Sequence, residues 1–188
     1  MGKKQEVFVS VDVESSGPIP GEFSMLTLGA CLVDSPSTAF SMELKPLNGN
    51  FDAEALAVTG LSMEQLARTG LPPTQGMSQF ASWISTHVAS GAAPVFVGLN
   101  AAFDWSFVNY YFHRFIGTNP FGFAALDIKA FFMGATSCEW QETKSSSISK
   151  ILRPSLKGNH DALDDARYQA ELFRLTRELA ASKSRAVR

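Results

Sequence analysis

Asp12 and Glu14 stand two residues apart near the end of VFVSVDVES, a segment that otherwise reads as a strand. Val7, Val9, Val11 and Val13 alternate with Phe8, Ser10, Asp12 and Glu14, the period of two that separates the faces of a strand. Side chains at i and i+2 lie roughly 6.5–7 Å apart on one face. Two carboxylates so placed repel each other unless a positive charge lies between them. Taken alone, they are equally well explained as solvated strand-end residues. Any chemistry depends on what the rest of the chain brings near.

Two further segments offer partners. Asp104 lies in VGLNAAFDWSFV, where a short apolar run leads into an aromatic-rich helix. It therefore sits at a strand-to-helix junction, and ligand sites of open α/β sheets gather at the carboxyl ends of strands. Capping the helix is the plainer role for Asp104, but Asn100 is available for that. In HDALDDARYQAELF, His160 and Asp165 are five residues apart, which on one helix is about 140° around the axis. They converge only if His160 occupies the entering loop or first turn, with Asp165 one turn deeper. Ala162, Ala166 and Ala170 form a stripe of small side chains beside Asp165, so this helix can approach a sheet closely. The plainer alternative is a packed helix with Asp164 and Asp165 at its favourable N-terminal end.

The elements that must position these residues follow from periodicity and punctuation. Strands are expected over residues 7–15, 25–34 and 38–44, the last two joined by a turn at Ser35-Pro36-Ser37. SSGPIPGEFS, after the first strand, reads as a loop. Short helices are expected over 52–57 and 62–68, the second with Ser62 and Gln65 in capping-box spacing. A longer helix follows over 75–89, a buried strand over 94–99, a helix over 103–116 and a short strand over 123–126. Asp127 can cap the next helix. Residues 144–159 read as a loop or loose helix, and 160–181 as a strong helix. A hairpin followed by alternating helices and strands argues for one α/β domain over 1–182, with a mixed sheet covered on both faces. Residues 183–188 read as a frayed basic tail.

Composition narrows the class. The chain has 188 residues with 45% hydrophobic and 18% charged residues, which is globular rather than disordered. No apolar run approaches the length of a membrane helix. The N-terminal MGKKQEVFVSVD lacks a signal-peptide pattern, and Cys31 and Cys138 form neither a disulfide framework nor a metal-ligand spacing. A reducing, cytoplasmic setting is the expectation. Net charge is −2, but residues 1–140 hold 6 Lys+Arg against 12 Asp+Glu, and residues 141–188 hold 10 against 6. That asymmetry fits an anionic ligand, and equally a solvated basic helix.

Asp12-x-Glu14, then Asn100-Ala101-Ala102-Phe103-Asp104, then His160-x-Ala162-x-x-Asp165 together resemble the three motifs of the DEDDh 3′–5′ exonucleases. This family includes the proofreading subunits of bacterial replicative polymerases, RNase T and oligoribonuclease. The matching segments run from residue 7 to about 175, and His160 in place of a tyrosine marks the h branch. The resemblance implies a ribonuclease H-like α/β fold. It implies that Asp12, Glu14, Asp104 and Asp165 hold two divalent cations, Mg²⁺ or Mn²⁺, with His160 as general base. Asp12 would serve both ions, Glu14 and Asp165 the first, and Asp104 the second. All-oxygen ligand sets suit such hard cations. A pair roughly 3.5–4 Å apart can clamp the attacking and leaving oxygens of a phosphoryl displacement. The implied reaction removes nucleoside 5′-monophosphates from the 3′ ends of single-stranded DNA or RNA.

Substrate contacts are expected from Ser15, Phe23, Asn100, Phe103 and Lys157, with aromatic rings stacking on terminal bases. Lys144, Lys150 and Arg153, near Lys157, are further candidates for phosphates. The loop SSGPIPGEFS departs from the Thr-Thr-Gly that follows Asp-x-Glu in proofreading subunits, which bears on terminal-nucleotide recognition. A homodimer is expected by analogy with RNase T and oligoribonuclease. Two rivals are a catalytically silent nucleic-acid-binding module on the same fold and a metal-dependent nucleotide phosphohydrolase. A silent module has no need of an acidic cluster that repels phosphate, and the motif order points away from the phosphohydrolase.

Overall fold

β1 (Glu6–Ser15) lies at the centre of a five-stranded mixed sheet in a computed structural model that describes residues 4–186. β1 pairs antiparallel with β2 (Met25–Leu32), which pairs antiparallel with β3 (Ser35–Glu43). On its other side β1 runs parallel to β4 (Ala93–Gly98), which runs parallel to β5 (Ala125–Asp127). The order is β3-β2-β1-β4-β5. The helices are α1 (Ala53–Thr59), α2 (Met63–Thr69), α3 (Pro73–His87), α4 (Ala101–Phe115), α5 (Ile128–Thr136), α6 (Ser145–Leu152) and α7 (Ala162–Ala186).

The alternation of β1 divides the interior into two layers. Val9, Val11 and Val13 pack with Phe80 and Ile84 of α3 and with Phe107, Val108 and Phe112 of α4. Phe8, on the opposite face, packs with Phe132 of α5 and Leu172 and Phe173 of α7. Each large apolar side chain removed from water contributes about 1.5–3 kcal/mol. The two layers thus clamp the sheet from both sides, as the mixed α/β pattern predicted. Asp12 and Glu14 share the α7 face with Phe8, so the covering helix is the one that carries Asp165.

Several boundaries differ from the sequence expectation. The hairpin turns at Val33-Asp34, and Pro36 lies inside β3. An edge strand with a register shift beside it tolerates proline, because no ladder bond is lost. α3 opens at Pro73, a first-turn position where the missing N–H costs nothing. Residues 145–152, read as loop or loose helix, form the regular helix α6. Ile148 is buried, and its four-residue spacing from half-buried Leu152 gives this polar segment an apolar edge. α7 starts after His160 and runs through Ala186, so the helix takes in residues 183–186 of the expected tail. Residues 1–3 of the predicted domain and 187–188 of the predicted tail lie outside the described residues. No described helix is long and apolar enough to cross a membrane.

Candidate active site

The floor of the site is the C-terminal half of β1. Asp12 pairs in register with Gly29 of β2, and a Cβ on Gly29 would run into the backbone of Ala162. Only glycine lets the first turn of α7 rest on the sheet at this point. Ala162, Ala166 and Ala170 are all buried beneath α7, as the stripe of small residues required. The sequence showed the small side chains on the helix but not their counterpart on β2, because that pairing exists only in the register.

Asp165 lies in the first turn of α7, and His160 lies in the loop that enters it. The backbone N–H groups of Asn159 and His160 donate to Oδ1 and Oδ2 of Asp165 at 2.8 and 3.1 Å. Asp161 caps the helix by accepting from Leu163 and Asp164 N–H. The helix therefore begins after His160, and the pair converges as the loop geometry required. Ligand atoms of Glu14, His160 and Asp165 all lie within 4.8 Å of one another.

Asp104 closes the other side. It is only 4% exposed and accepts the N–H of Val13 at 3.0 Å, between the two β1 carboxylates. It does not cap α4, and neither does Asn100, which takes the N-cap place with φ of 67° but makes no side-chain cap bond. The cap for which Asn100 was available is therefore not made by its side chain. Asp127 supplies the acceptor from across the sheet, its Oδ2 taking the Ala101 N–H at 2.6 Å while its Oδ1 caps α5 at Ala130 N–H. His160, with φ of 63°, is also left-handed. Such conformations in non-glycine residues cost on the order of 1–3 kcal/mol and gather at functional sites.

A pocket of about 400 Å³ joins Asp12, Glu14, Asp104, His160 and Asp165 with Asn100 and Phe103. Ser15 and Phe23 are placed elsewhere. The buried Ser15 hydroxyl donates to the Gly17 carbonyl at 2.7 Å, and the Phe23 ring covers Gly17. Lys157 lines an adjoining groove with Arg153. Sequence reasoning missed Gln169, which is 4% exposed. Its Oε1 accepts the Leu99 N–H at 2.8 Å, which turns its amide nitrogen toward Asp12 Oδ1 at 2.5 Å. The available signal was its spacing of four from Asp165, which puts both on one face of α7.

The electrostatics are those of crowded carboxylates. Burial, then Asp104, Glu14 and Asp165, raise the Asp12 carboxyl well above its ordinary value, against the pull of the Gln169 bond. Burial, then Asp165 and Asp161, push Glu14 up to about 7. Burial pushes Asp104 up to about 8 despite the Val13 N–H. No Lys or Arg lines the pocket among the described residues. Hard oxygen donors crowded in this way suit divalent cations, whose charge would lower all three pKa values at once.

The RNase_T exonuclease family model matches residues 9–173. The 3′-5′ DNA exonuclease Cap18 of Escherichia coli is 54% identical over 183 residues, covering 97% of this chain and 98% of that one. The nuclease domain of 3′hExo, a DEDDh family member solved bound to rAMP, superimposes with a TM-score of 0.73 over 95% of each chain. The chain belongs to the DEDDh 3′–5′ exonuclease family. It is a 3′–5′ exonuclease with the ribonuclease H-like fold of that family. E. coli exonuclease I in complex with a dT13 oligonucleotide gives a TM-score of 0.74 at 16% identity, over 97% of this chain and 43% of that chain. At 14% and 16% identity, the last two likenesses carry the fold. DEDDh exonucleases depend on divalent metal, in keeping with the donor set in the pocket.

Proposed function

We propose that this exonuclease trims the 3′ ends of single-stranded DNA, with Mg²⁺ or Mn²⁺ held by Asp12, Glu14, Asp104 and Asp165. The observation that carries the reading is the convergence of Glu14, His160 and Asp165 within 4.8 Å, backed by half-buried Asp12 and buried Asp104. The bound cations would stabilise charge on the phosphoryl and leaving oxygens. His160, in the exposed entering loop, takes the proton of the attacking water in this reading, a role suited to imidazole. Water adds to the terminal phosphorus, the bond to the penultimate O3′ breaks, and a nucleoside 5′-monophosphate is released. Asn100 and Phe103 line the pocket where the terminal nucleotide must lie. Ser15 and Phe23 have no part in this reading.

DNA as substrate rests on the 54% identity to a DNA exonuclease over nearly the whole of both chains. Competition between single-stranded DNA and RNA of one sequence, in Mg²⁺ and in Mn²⁺, tests it. Faster loss of DNA is expected, and preferential loss of RNA overturns the assignment. By family resemblance the working form is a homodimer in the cytoplasm. Light scattering at assay concentration tests the dimer, and a monomer mass rejects it.

A further inference from the structure

The catalytic pocket is the middle of a longer depression whose two ends differ in chemistry. Beyond Glu14 and His160 it opens into a hollow of about 640 Å³, whose charged lining is Glu14, Glu43 and Asp161, with apolar Leu28, Met42 and Leu61 among the rest. In the other direction a groove of about 410 Å³ shares Ser145, Gly158 and Tyr168 with the catalytic pocket. Ser146, Ser149, Arg153 and Lys157 also line this groove, and no Asp or Glu does among the described residues. Arg153 and Lys157 are the only Lys or Arg along the whole depression among the described residues.

We infer that this groove binds a backbone phosphate of the substrate strand, upstream of the bond being cut, through Arg153 and Lys157. The inference rests on the exonuclease reading of the adjoining pocket, because the scissile phosphate must lie at the acidic cluster. A polyanion entering that cluster needs cations alongside, and only this end supplies them. Both side chains are exposed, and neither forms an ion pair among the described residues. The groove is also held in shape. The Tyr168 hydroxyl bonds those of Ser145 and Ser149 at 2.8 and 2.7 Å, tying α6 to α7. Glu171 accepts the N–H groups of Ser155 and Leu156 and the Ser155 hydroxyl, tying the turn between the two cations to α7. Arg153 itself ends α6 in a left-handed conformation, φ 51°, with its N–H on the Ser149 carbonyl at 2.9 Å. The cations thus hang on a fixed frame at the mouth of the site. The strand leaves the active site over α6, and the terminal nucleoside points the other way.

The test is kinetics of the full chain on a 12-nucleotide single strand and on a dinucleotide, which has only the scissile phosphate. In Arg153→Gln/Lys157→Gln, KM for the long strand rises on the order of tenfold while kcat holds. The slope of log KM against log salt falls by roughly 0.7 for each phosphate that is no longer neutralised. KM for the dinucleotide moves less than the long-strand value. Lys4→Gln/Lys183→Gln, an equal loss of two charges at exposed positions outside the depression, leaves both substrates unaffected. Equal KM changes on both substrates, or none, with a wild type that cuts, overturn the proposal. So does loss of inhibition by nucleoside 5′-monophosphate with the long-strand KM intact, since the groove would then take the product's phosphate. A wild type that cuts neither substrate overturns the exonuclease reading instead, and this inference with it.

Discussion

The backbone N–H of His160 donates to the carboxylate of Asp165 at 3.1 Å, and that carboxylate also faces Glu14 across the pocket. One side chain therefore holds the loop that carries His160 and belongs to the acidic cluster. Asp165→Ala removes both acceptors of the loop. Hydrogen exchange at the Asn159 and His160 amides is expected to rise on the order of tenfold or more. Unchanged exchange would show that other contacts hold the loop.

Asp12 and His160 should fail in different ways. Asp12→Ala is expected to abolish activity and to weaken Mn²⁺ binding measured by calorimetry. His160→Ala should lower kcat by roughly 10²–10⁴-fold, the usual worth of a proton-transfer group, with Mn²⁺ affinity nearly kept. The His160 ring stands close enough to Glu14 and Asp165 to serve as a ligand itself. Equal loss of Mn²⁺ affinity in both variants would give it that role and remove the separation.

Metal-free protein should lose stability as pH rises. Glu14 and Asp104 are pushed up to about 7 and about 8 by burial, against about 4 in an unfolded chain. Between those values the folded state holds more protons than the unfolded state, so the slope of unfolding free energy with pH is negative. Stability present below about pH 4 is lost progressively as pH rises through 7 to 8. Thermal melts in EDTA should fall across this range, and Mn²⁺ should restore more at pH 8 than at pH 5. A melting temperature that rises with pH in EDTA would contradict the crowded-acid description.

The strand alternation of β1, the small stripe on α7 and the three acidic motifs were legible because each is a local pattern of residue type and spacing. Asp12, Glu14, Asp104, His160 and Asp165 do meet in one pocket. What escaped depends on register and on contacts between distant segments. Gly29 matters only because it lies beside Asp12 in the sheet, and Asp127 reaches α4 only because β5 lies next to β4. α6 was hidden by its serines, whose helix tendency is weak. Ser15 and Phe23 followed the acidic pair in sequence, but the loop after β1 folds back on Gly17 and keeps them from the pocket.

Two positions outside the acidic set should matter for geometry alone. Gly29→Ala pushes a methyl into the Ala162 backbone and should cost stability and activity together. Gly49→Ala, with nothing within 4 Å, should cost neither, and equal melts for the two would refute the close-approach argument.

Gln169→Leu leaves Asp12 without its donor and the Leu99 N–H without its acceptor. The unpaired N–H costs about 1–3 kcal/mol. The metal concentration for half-maximal activity should rise about 10–100-fold, as for other groups that orient a ligand. An unchanged metal requirement would show that Asp12 is oriented without Gln169.

The most direct measurement is a time course on 5′-labelled single-stranded DNA with Mn²⁺, with EDTA, and with Asp165→Asn in Mn²⁺. A ladder shortening from the 3′ end in Mn²⁺ alone, absent with EDTA and in the variant, is the expected result. A ladder that survives EDTA, or one as fast in folded Asp165→Asn as in the wild type, would contradict a metal-dependent centre built on these carboxylates.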